Sequence, residues 1–354
     1  MAETPDQERT VAGIGEAGVL KRILPRLRGA DMLLGPGDDA AIISAPGGRF
    51  VVTIDTLVQD QDFRLNWRNG YQSTGYDVGW KSAAQNLSDI NAMGAVATAA
   101  VISLTLPPET PVSWVEGIAD GFSDAVRELG ADHCALAGGD LSSGGELSIT
   151  AALTGMIPGS ELLRSGARPG DIVAVCGVMG AAAAGLDLLE SEHDYAALGP
   201  SCSTVVERQC RPRPPLDAGP RAAAAGATAA MDLSDGLVRD AGRLAEASGV
   251  LIELESMALR AHLVLMGHKG LDLGAVAELL EREPLGWVLG GGEDHGLLAT
   301  FPRETALPQG FVPVGQVGRE KTGEGPRQRI FLDGQRYPSG IVKGSPEGFD
   351  HFSE

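Results

Sequence analysis

Cysteine is scarce: the chain has 354 residues and only four cysteines, Cys134, Cys176, Cys202 and Cys210. None forms a Cys-x-x-Cys pair, and the separation of Cys202 from Cys210 matches no common zinc spacing. A disulfide framework is excluded, and reduced thiols in a cytoplasmic protein are expected. No run of 18 uncharged apolar residues occurs, which excludes a membrane-spanning helix. The opening "MAETPDQERT" is polar and lacks the apolar stretch of a secretory signal. Positive charge is also short, with 28 Lys and Arg against 47 Asp and Glu and a net charge of −19. Such a surface repels nucleic acid and anionic lipid, so neither is expected as a partner. A phosphorylated ligand is repelled as well, unless cations intervene. No Gly-Lys-Ser/Thr follows a glycine loop, so there is no Walker sequence. No nucleophile triad stands out, and His133, His193, His262 and His268 read as surface or core residues.

What the chain does have is a balanced 43% hydrophobic and 21% charged composition and 49 glycines. Its length suggests two domains. Residues 11–30 carry apolar positions at helical spacing, and strands are predicted at 40–45 and 49–58 around a Pro-Gly-Gly turn. Residues 73–93 read as a helix with Ala83, Leu87 and Ile90 on one face and Lys81, Gln85 and Asp89 on the other. A strand at 97–107, a helix at 111–129, a strand at 133–140 running into a glycine turn and a strand at 146–157 follow. The polar, proline-containing "PGSELLRSGARPGD" (158–171) breaks the pattern and marks a boundary between domains at 1–157 and 158–354. Beyond it come a strand over "DIVAVCG", an Ala-rich helix from about 180, and a loop around "RPRPPLDAGP". Strand "ATAAMDLS", helix 235–248, and strands "VLIELE" and "GLLATF" complete the set. "VAVCGVMGAAAAGL" suggests a dinucleotide loop, but its glycine spacing is wrong, so close helix–strand packing is the better reading. Strands and helices mix without strict alternation, which favours α+β.

Aspartates recur where strands end and turns begin: Asp38 beside Asp39 in "GPGDDAAII", Asp55, Asp89, Asp140 in "AGGD", and Asp232 and Asp235 in "MDLSDG". Each has a local explanation as a turn or cap residue. Collected in one cleft, however, they cannot all ionise without cations. Hard divalent ions with oxygen shells resolve this, and Mg²⁺ characteristically joins a few carboxylates to substrate phosphates. Ser234 stands at a predicted helix start, where it suits either a cap or an anion. Arg164 either clamps a phosphate or pairs with Glu161.

Taken together, "GPGDDAAII", "TIDTLV", "DVGWKSAAQNLSDINAMGA", "GGD", "LLRSGARPGD", "MDLSDGL", "GGED" and the terminal "GFDHF" resemble the thiamine-monophosphate kinases, in that family's order and over nearly the whole chain. The resemblance implies the two-domain aminoimidazole ribonucleotide synthetase-like fold, with an N-terminal domain that dimerises through a mixed sheet and a C-terminal α+β domain. It implies direct transfer of the ATP γ-phosphoryl group to thiamine monophosphate with several Mg²⁺ ions. By motif position, Asp38, Thr53, the backbone of Ile54, Asp55, Asp89, Asp140, Asp232 and Asp235 would hold metal. Gly139, Asp140, Arg164 and Ser234 would touch ATP, and Glu293 and Phe349 would lie near the thiamine end. Asp62 stands where the family has His, Gly296 where it has an acid, and Pro346 where it has a tail tryptophan. "GGDLS" lacks the hydroxyls of the family's "GGDTT". Two alternatives remain: another ATP-dependent synthetase of the superfamily, and a non-catalytic nucleotide-binding paralogue. A selenophosphate synthetase is disfavoured because no cysteine lies near the N-terminus, and a hydrogenase-maturation protein because the chain ends "HFSE".

Overall fold

A computed structural model describes residues 32–34, 38, 41–45, 48–319 and 329–337. The expected helix at 11–30 lies outside them, as do Asp39, Pro346 and Phe349. The architecture is α+β, with two sheets that share no strand. A six-stranded sheet has the order β1-β2-β3-β6-β4-β5. Its strands are β1 (Met32–Leu34), β2 (Ala41–Ala45), β3 (Gly48–Val58), β4 (Val96–Leu106), β5 (Ala135–Ser143) and β6 (Ser148–Met156). β4 and β5 run parallel and the other neighbours antiparallel, so the sheet is mixed. A seven-stranded sheet has the order β13-β12-β9-β11-β7-β10-β8. It comprises β7 (Ile172–Cys176), β8 (Ala229–Leu233), β9 (Leu251–Leu254), β10 (Gly296–Phe301), β11 (Phe311–Gly318), β12 (Ile330–Leu332) and β13 (Gln335–Arg336).

Two helices cover one face of the first sheet, α1 (Gly75–Ala92) and α2 (Val112–Glu128). α1 starts at a reciprocal cap: Thr74 accepts from the Asp77 amide while the Asp77 carboxylate accepts from the Thr74 amide. It is buried nearly all round, polar residues included, because the first sheet, α2 and strand β8 of the second sheet all pack on it. The remaining helices are α3 (Ala181–Leu189), α4 (Pro200–Cys210), α5 (Ala218–Ala224), α6 (Leu237–Ser248), α7 (Ser256–His268), α8 (Leu273–Leu280) and α9 (Pro284–Gly290). Each sheet has its own apolar core, Val51, Leu87, Ile90 and Leu153 in the first and Val173, Met231, Leu244 and Leu298 in the second. The segment after α4 straps one half onto the other. The Trp80 indole donates to the Pro212 carbonyl at 2.8 Å, Arg213 stacks over the Trp80 ring and pairs with Glu128, and the Gly219 amide donates to Asn91.

The glycine turn expected after residue 137 is absent: β5 runs through Gly138, Gly139 and Asp140 to Ser143. Pairing with β4 carries it on, since Ile102 faces Gly139 in register. The dinucleotide-like stretch is β7 followed by α3, but β7 pairs antiparallel with both β10 and β11, so it is no βαβ unit. Gly180 at its turn has φ +84°, and a Cβ there would lie 2.9 Å from the Trp287 carbonyl carbon, so this glycine admits helix α9 rather than a strand. The four cysteines are free and buried. Among the described residues no helix is long and apolar enough to cross a membrane.

Candidate active site

Strand alternation sorts the first acids. Thr53 and Asp55 point from β3 toward α1, while Ile54 between them faces outward and is 64% exposed. Thr53 Oγ1 donates to Asp89 Oδ2 at 2.6 Å, tying strand to helix. One residue back along α1, Ser88 reaches the other half of the molecule and donates to Asp232 Oδ2 on β8 at 3.2 Å. The same oxygen faces His295 Nδ1 at 3.3 Å, and a ring nitrogen opposite a carboxylate is a donor. Asp55 lies close enough to Asp232 for the two charges to interact. Burial, and after it the Asp232 charge, raise the Asp55 carboxyl above its ordinary range, while His295 and a hydrogen bond from Gln85 pull it down. The Asp232 charge on the second sheet thus reaches Asp55 on the first.

Asp235 and Asp38 are already paired with arginines. Asp235 Oδ2 pairs with Arg243 at 2.5 Å and with Arg239 at 3.8 Å, and its amide donates to Asp240. Asp38 accepts from the Arg164 amide at 2.9 Å and pairs with its guanidinium at 3.8 Å. Of the two readings of Arg164, the pairing with Glu161 is not what the structure shows, because Glu161 pairs with Arg49 at 2.8 Å. Ser234 does not cap the following helix. α6 begins at Leu237 after Gly236 with no side-chain cap, and the Ser234 carbonyl instead accepts from the Glu293 amide. Gly139 and Asp140 lie on the exposed edge strand β5. Asp55, Ala151, Ile102 and Gly139 form one rung across the sheet, so three strand spacings, roughly 14 Å, separate β3 from β5. A Cβ at Gly139 would meet the Ile102 carbonyl oxygen at 1.7 Å, so that backbone approach needs glycine.

These donors fit magnesium in kind, because all are oxygens and a cation relieves the repulsion that raises the Asp55 carboxyl. They are not gathered into a ready cage: among the described residues no three His, Cys, Asp or Glu side chains stand together so as to hold a metal ion.

A second cluster adjoins the first. Glu293, in the turn before β10, pairs with Lys81 of α1 at 2.7 Å and accepts from Gln209 of α4 at 2.5 Å. Lys81 also donates to the Asp62 carbonyl at 3.0 Å. Burial opposes ionisation of Glu293, but Lys81 and Gln209 outweigh it and hold the carboxyl below its usual range. Glu293 and His295 sit at φ +65° and +54°, a left-handed backbone uncommon outside glycine and frequent at functional turns. Asp62 turns one oxygen back to accept from the Val58 amide at 2.8 Å. Beside this cluster is a pocket lined by Phe63, Trp67, Asp77, Lys81, Gln209 and Cys210, among others, of about 250 Å³ counting its open mouth.

Sequence reading missed Ser88, Gln209 and His295. Lys81 appeared only as a polar-face residue of its helix. Spacing on α1 puts Lys81, Ser88 and Asp89 near one another, but Gln209 carries no local signal, since its role depends on where α4 lands.

Residues 37–157 match the family model for the N-terminal domain of AIR synthase related proteins. The thiamine-monophosphate kinase of Mycobacterium tuberculosis is 41% identical over 331 residues, covering 93% of this chain and 90% of that protein. The thiamine-monophosphate kinase of Aquifex aeolicus is 32% identical over 339 residues, covering 96% and 98%. Among solved structures, AaThiL complexed with AMPPCP and TMP superposes with a TM-score of 0.80 at 30% identity over 97% of this chain and 99% of that one.

Proposed function

The chain belongs to the thiamine-monophosphate kinase family, and we propose that it carries the ATP γ-phosphoryl group in line onto the phosphate of thiamine monophosphate, in the junction between domains 1–157 and 158–354. The observation that carries this reading is the meeting of Asp55 and Asp232 beside the Lys81–Glu293 cluster. A nucleotide and a phosphorylated acceptor, as in the complexed relative, suit a site with acids at one end and an aromatic pocket at the other.

An acceptor phosphate oxygen is already anionic at neutral pH, so the transfer requires no general base. What it requires is alignment and charge neutralisation. Asp55, Asp232, Asp89 and Thr53 are the residues that would hold Mg²⁺, with Asp38, Asp140, Asp235 and the Ile54 backbone as further donors. When bound, the ions supply positive charge between an acidic protein and a polyphosphate. Thr53 orients Asp89, and Ser88 with His295 orients Asp232, so each carboxylate presents its other oxygen in a set direction. Arg164, Ser234 and Gly139 are assigned to the nucleotide. Glu293, Asp62 and the tail residue Phe349 are assigned to the cationic acceptor.

A homodimer belongs to the same reading. The outward face of the first sheet exposes Ile54 at 64%, Val101 at 48% and Met156 at 62%. Contiguous exposed apolar surface of this kind marks an interface.

One observation favours a different acceptor: Asp62 replaces the family's His, and its carboxylate is partly engaged in a turn. The Gly296 change is a packing matter, because a Cβ there would lie 3.1 Å from the Cys176 carbonyl. Incubation of the purified protein with Mg-ATP and thiamine monophosphate tests the assignment, with thiamine diphosphate as the expected product. Turnover only with another acceptor would support a sister synthetase, and nucleotide binding without product would support a non-catalytic paralogue.

A further inference from the structure

Lys81 is a cation that the phosphate chemistry leaves unassigned. It is 3% exposed, and a buried ammonium is tolerated only when its charge and its protons are met. Its two recorded partners are the Glu293 carboxylate at 2.7 Å and the Asp62 carbonyl at 3.0 Å. Those are two of the three positions assigned to the acceptor end of the site, and they come from opposite halves of the molecule. Gln209, also 3% exposed, grips the second Glu293 oxygen. The orientation of its amide follows from chemistry: an ionised carboxylate only accepts, so Nε2 faces it, which leaves Oε1 buried without a hydrogen-bond partner.

We propose that Lys81 is the positioning residue of the acceptor site. One buried ammonium sets both the Asp62 loop and the Glu293 carboxylate in the arrangement that receives the cationic ring of the acceptor. Gln209 is its helper. Its free Oε1 is the acceptor for an N–H donor on a ring entering the pocket of Phe63 and Trp67. That pocket is lined by Phe63, Trp67 and Val78 beside Gln209, so it offers aromatic and aliphatic walls to a ring that approaches Oε1. The inference rests on the reading of this cluster as the acceptor end.

The test separates the two. Calorimetry first measures binding of thiamine monophosphate to the wild-type protein; no binding there sinks the acceptor reading itself. Given binding, Lys81→Met is expected to raise the acceptor KM by about 30-fold or more, the usual cost of breaking a buried charge pair. The KM for ATP should stay within about 3-fold, and kcat should fall less than the acceptor KM rises. Lys81→Arg should recover most of the loss. In a cycle with Glu293→Gln, the Lys81→Met effect should largely vanish, because the carboxylate it holds is gone. An unchanged acceptor KM, an equal rise in both KM values, or simple additivity in the cycle would overturn the proposal. Should Lys81→Met not fold, Gln209→Leu removes one anchor of Glu293 without stranding a charge. It is expected to raise the acceptor KM several-fold with the ATP KM unchanged, and wild-type KM values would again overturn the proposal.

Discussion

At the scale of single residues, the site is defined by acids held away from their ordinary chemistry. Asp55→Asn is expected to reduce phosphoryl transfer by a factor on the order of 10³, since a positioned anionic oxygen is lost from the charge-neutralising set. Stability should hold or rise, because the change also removes the repulsion with Asp232 that helps push the Asp55 carboxyl up. Denaturant melts beside product assays check both halves. Asp294 gives a pH signature. It caps α3 by accepting from the Ala182 amide at 2.9 Å, yet its Oδ2 has no hydrogen-bond partner, and burial raises its pKa from 3.8 to about 6. The folded protein therefore binds this proton more tightly than the unfolded chain does. The stabilisation is complete below pH 3.8 and is lost as the pH rises toward 6, by about 3 kcal/mol for a shift of this size. Asp294→Asn keeps the capping oxygen and removes the charge. It should be more stable than wild type at pH 7.5 by about 1–2 kcal/mol and show no advantage at pH 4. Equal stability differences at the two pH values would refute the assignment. The acids were visible in the sequence as aspartates after strands and glycines, but which of them meet was not. Asp232 joins Asp55 only because α1 lies between the two sheets, whereas Asp235 and Asp38 are claimed by arginines whose positions depend on α6 and the 158–171 segment.

At the scale of elements, α1 decides the geometry, because Lys81, Ser88 and Asp89 all ride on it. Its distance from α2 is fixed by glycine. A Cβ at Gly79 would meet the Ile118 carbonyl oxygen at 2.1 Å, and one at Gly121 would meet the Tyr76 carbonyl at 2.0 Å. Gly79→Ala should therefore force the helices apart and cost about 1–3 kcal/mol despite alanine's better helix propensity. Activity should drop with it. Gly242 in α6 is the control, since its nearest atom would be Ile330 Cγ1 at 3.8 Å. There alanine should stabilise by about 0.5–1 kcal/mol. Chemical denaturation of the two variants, read side by side, would defeat the packing account if both moved the same way. The periodicity that foretold α6 is strong because that helix buries a definite face, whereas α1 showed its apolar stripe in sequence although the fold buries its polar side as well. Helices α4, α5, α7, α8 and α9 and strands β1, β11, β12 and β13 went unforeseen, and α5 begins inside the stretch read as a loop around "RPRPPLDAGP". α7 exposes Met257 and Val264, so its apolar residues follow no single stripe, and β11 carries Pro313 and Gly315 beside a register shift, which reads locally as a turn. The polar, turn-rich stretch 158–171 lies between the last strand of one sheet and the first of the other.

At the scale of the whole molecule, the unanswered surface is the outer face of the first sheet. Ile54, Ala152 and Val101 share a rung across β3, β6 and β4, and Ile54, Val101 and Met156 stand largely exposed. Directly behind Ile54 on the same strand are Thr53 and Asp55, so whatever covers this face also steadies the strand that carries the acids. The opposing effect is charge: each chain carries −19, and two copies repel at long range. Burial of apolar area is insensitive to salt, whereas that repulsion is screened within about 8 Å at physiological ionic strength. Self-association through this face should accordingly tighten as salt is raised, the reverse of an ion-paired interface. Val101→Glu adds a charge at the β4 end of this apolar rung, where a covering partner would bury it without a counter-charge. We expect it to convert a dimer to a monomer in sedimentation experiments at micromolar concentration, with the fold retained by circular dichroism. Activity should fall as the support behind β3 is lost. A wild-type chain that sediments as a monomer at every salt concentration, or a Val101→Glu variant that dimerises as well as the parent, would show that another partner, or solvent alone, meets this sheet.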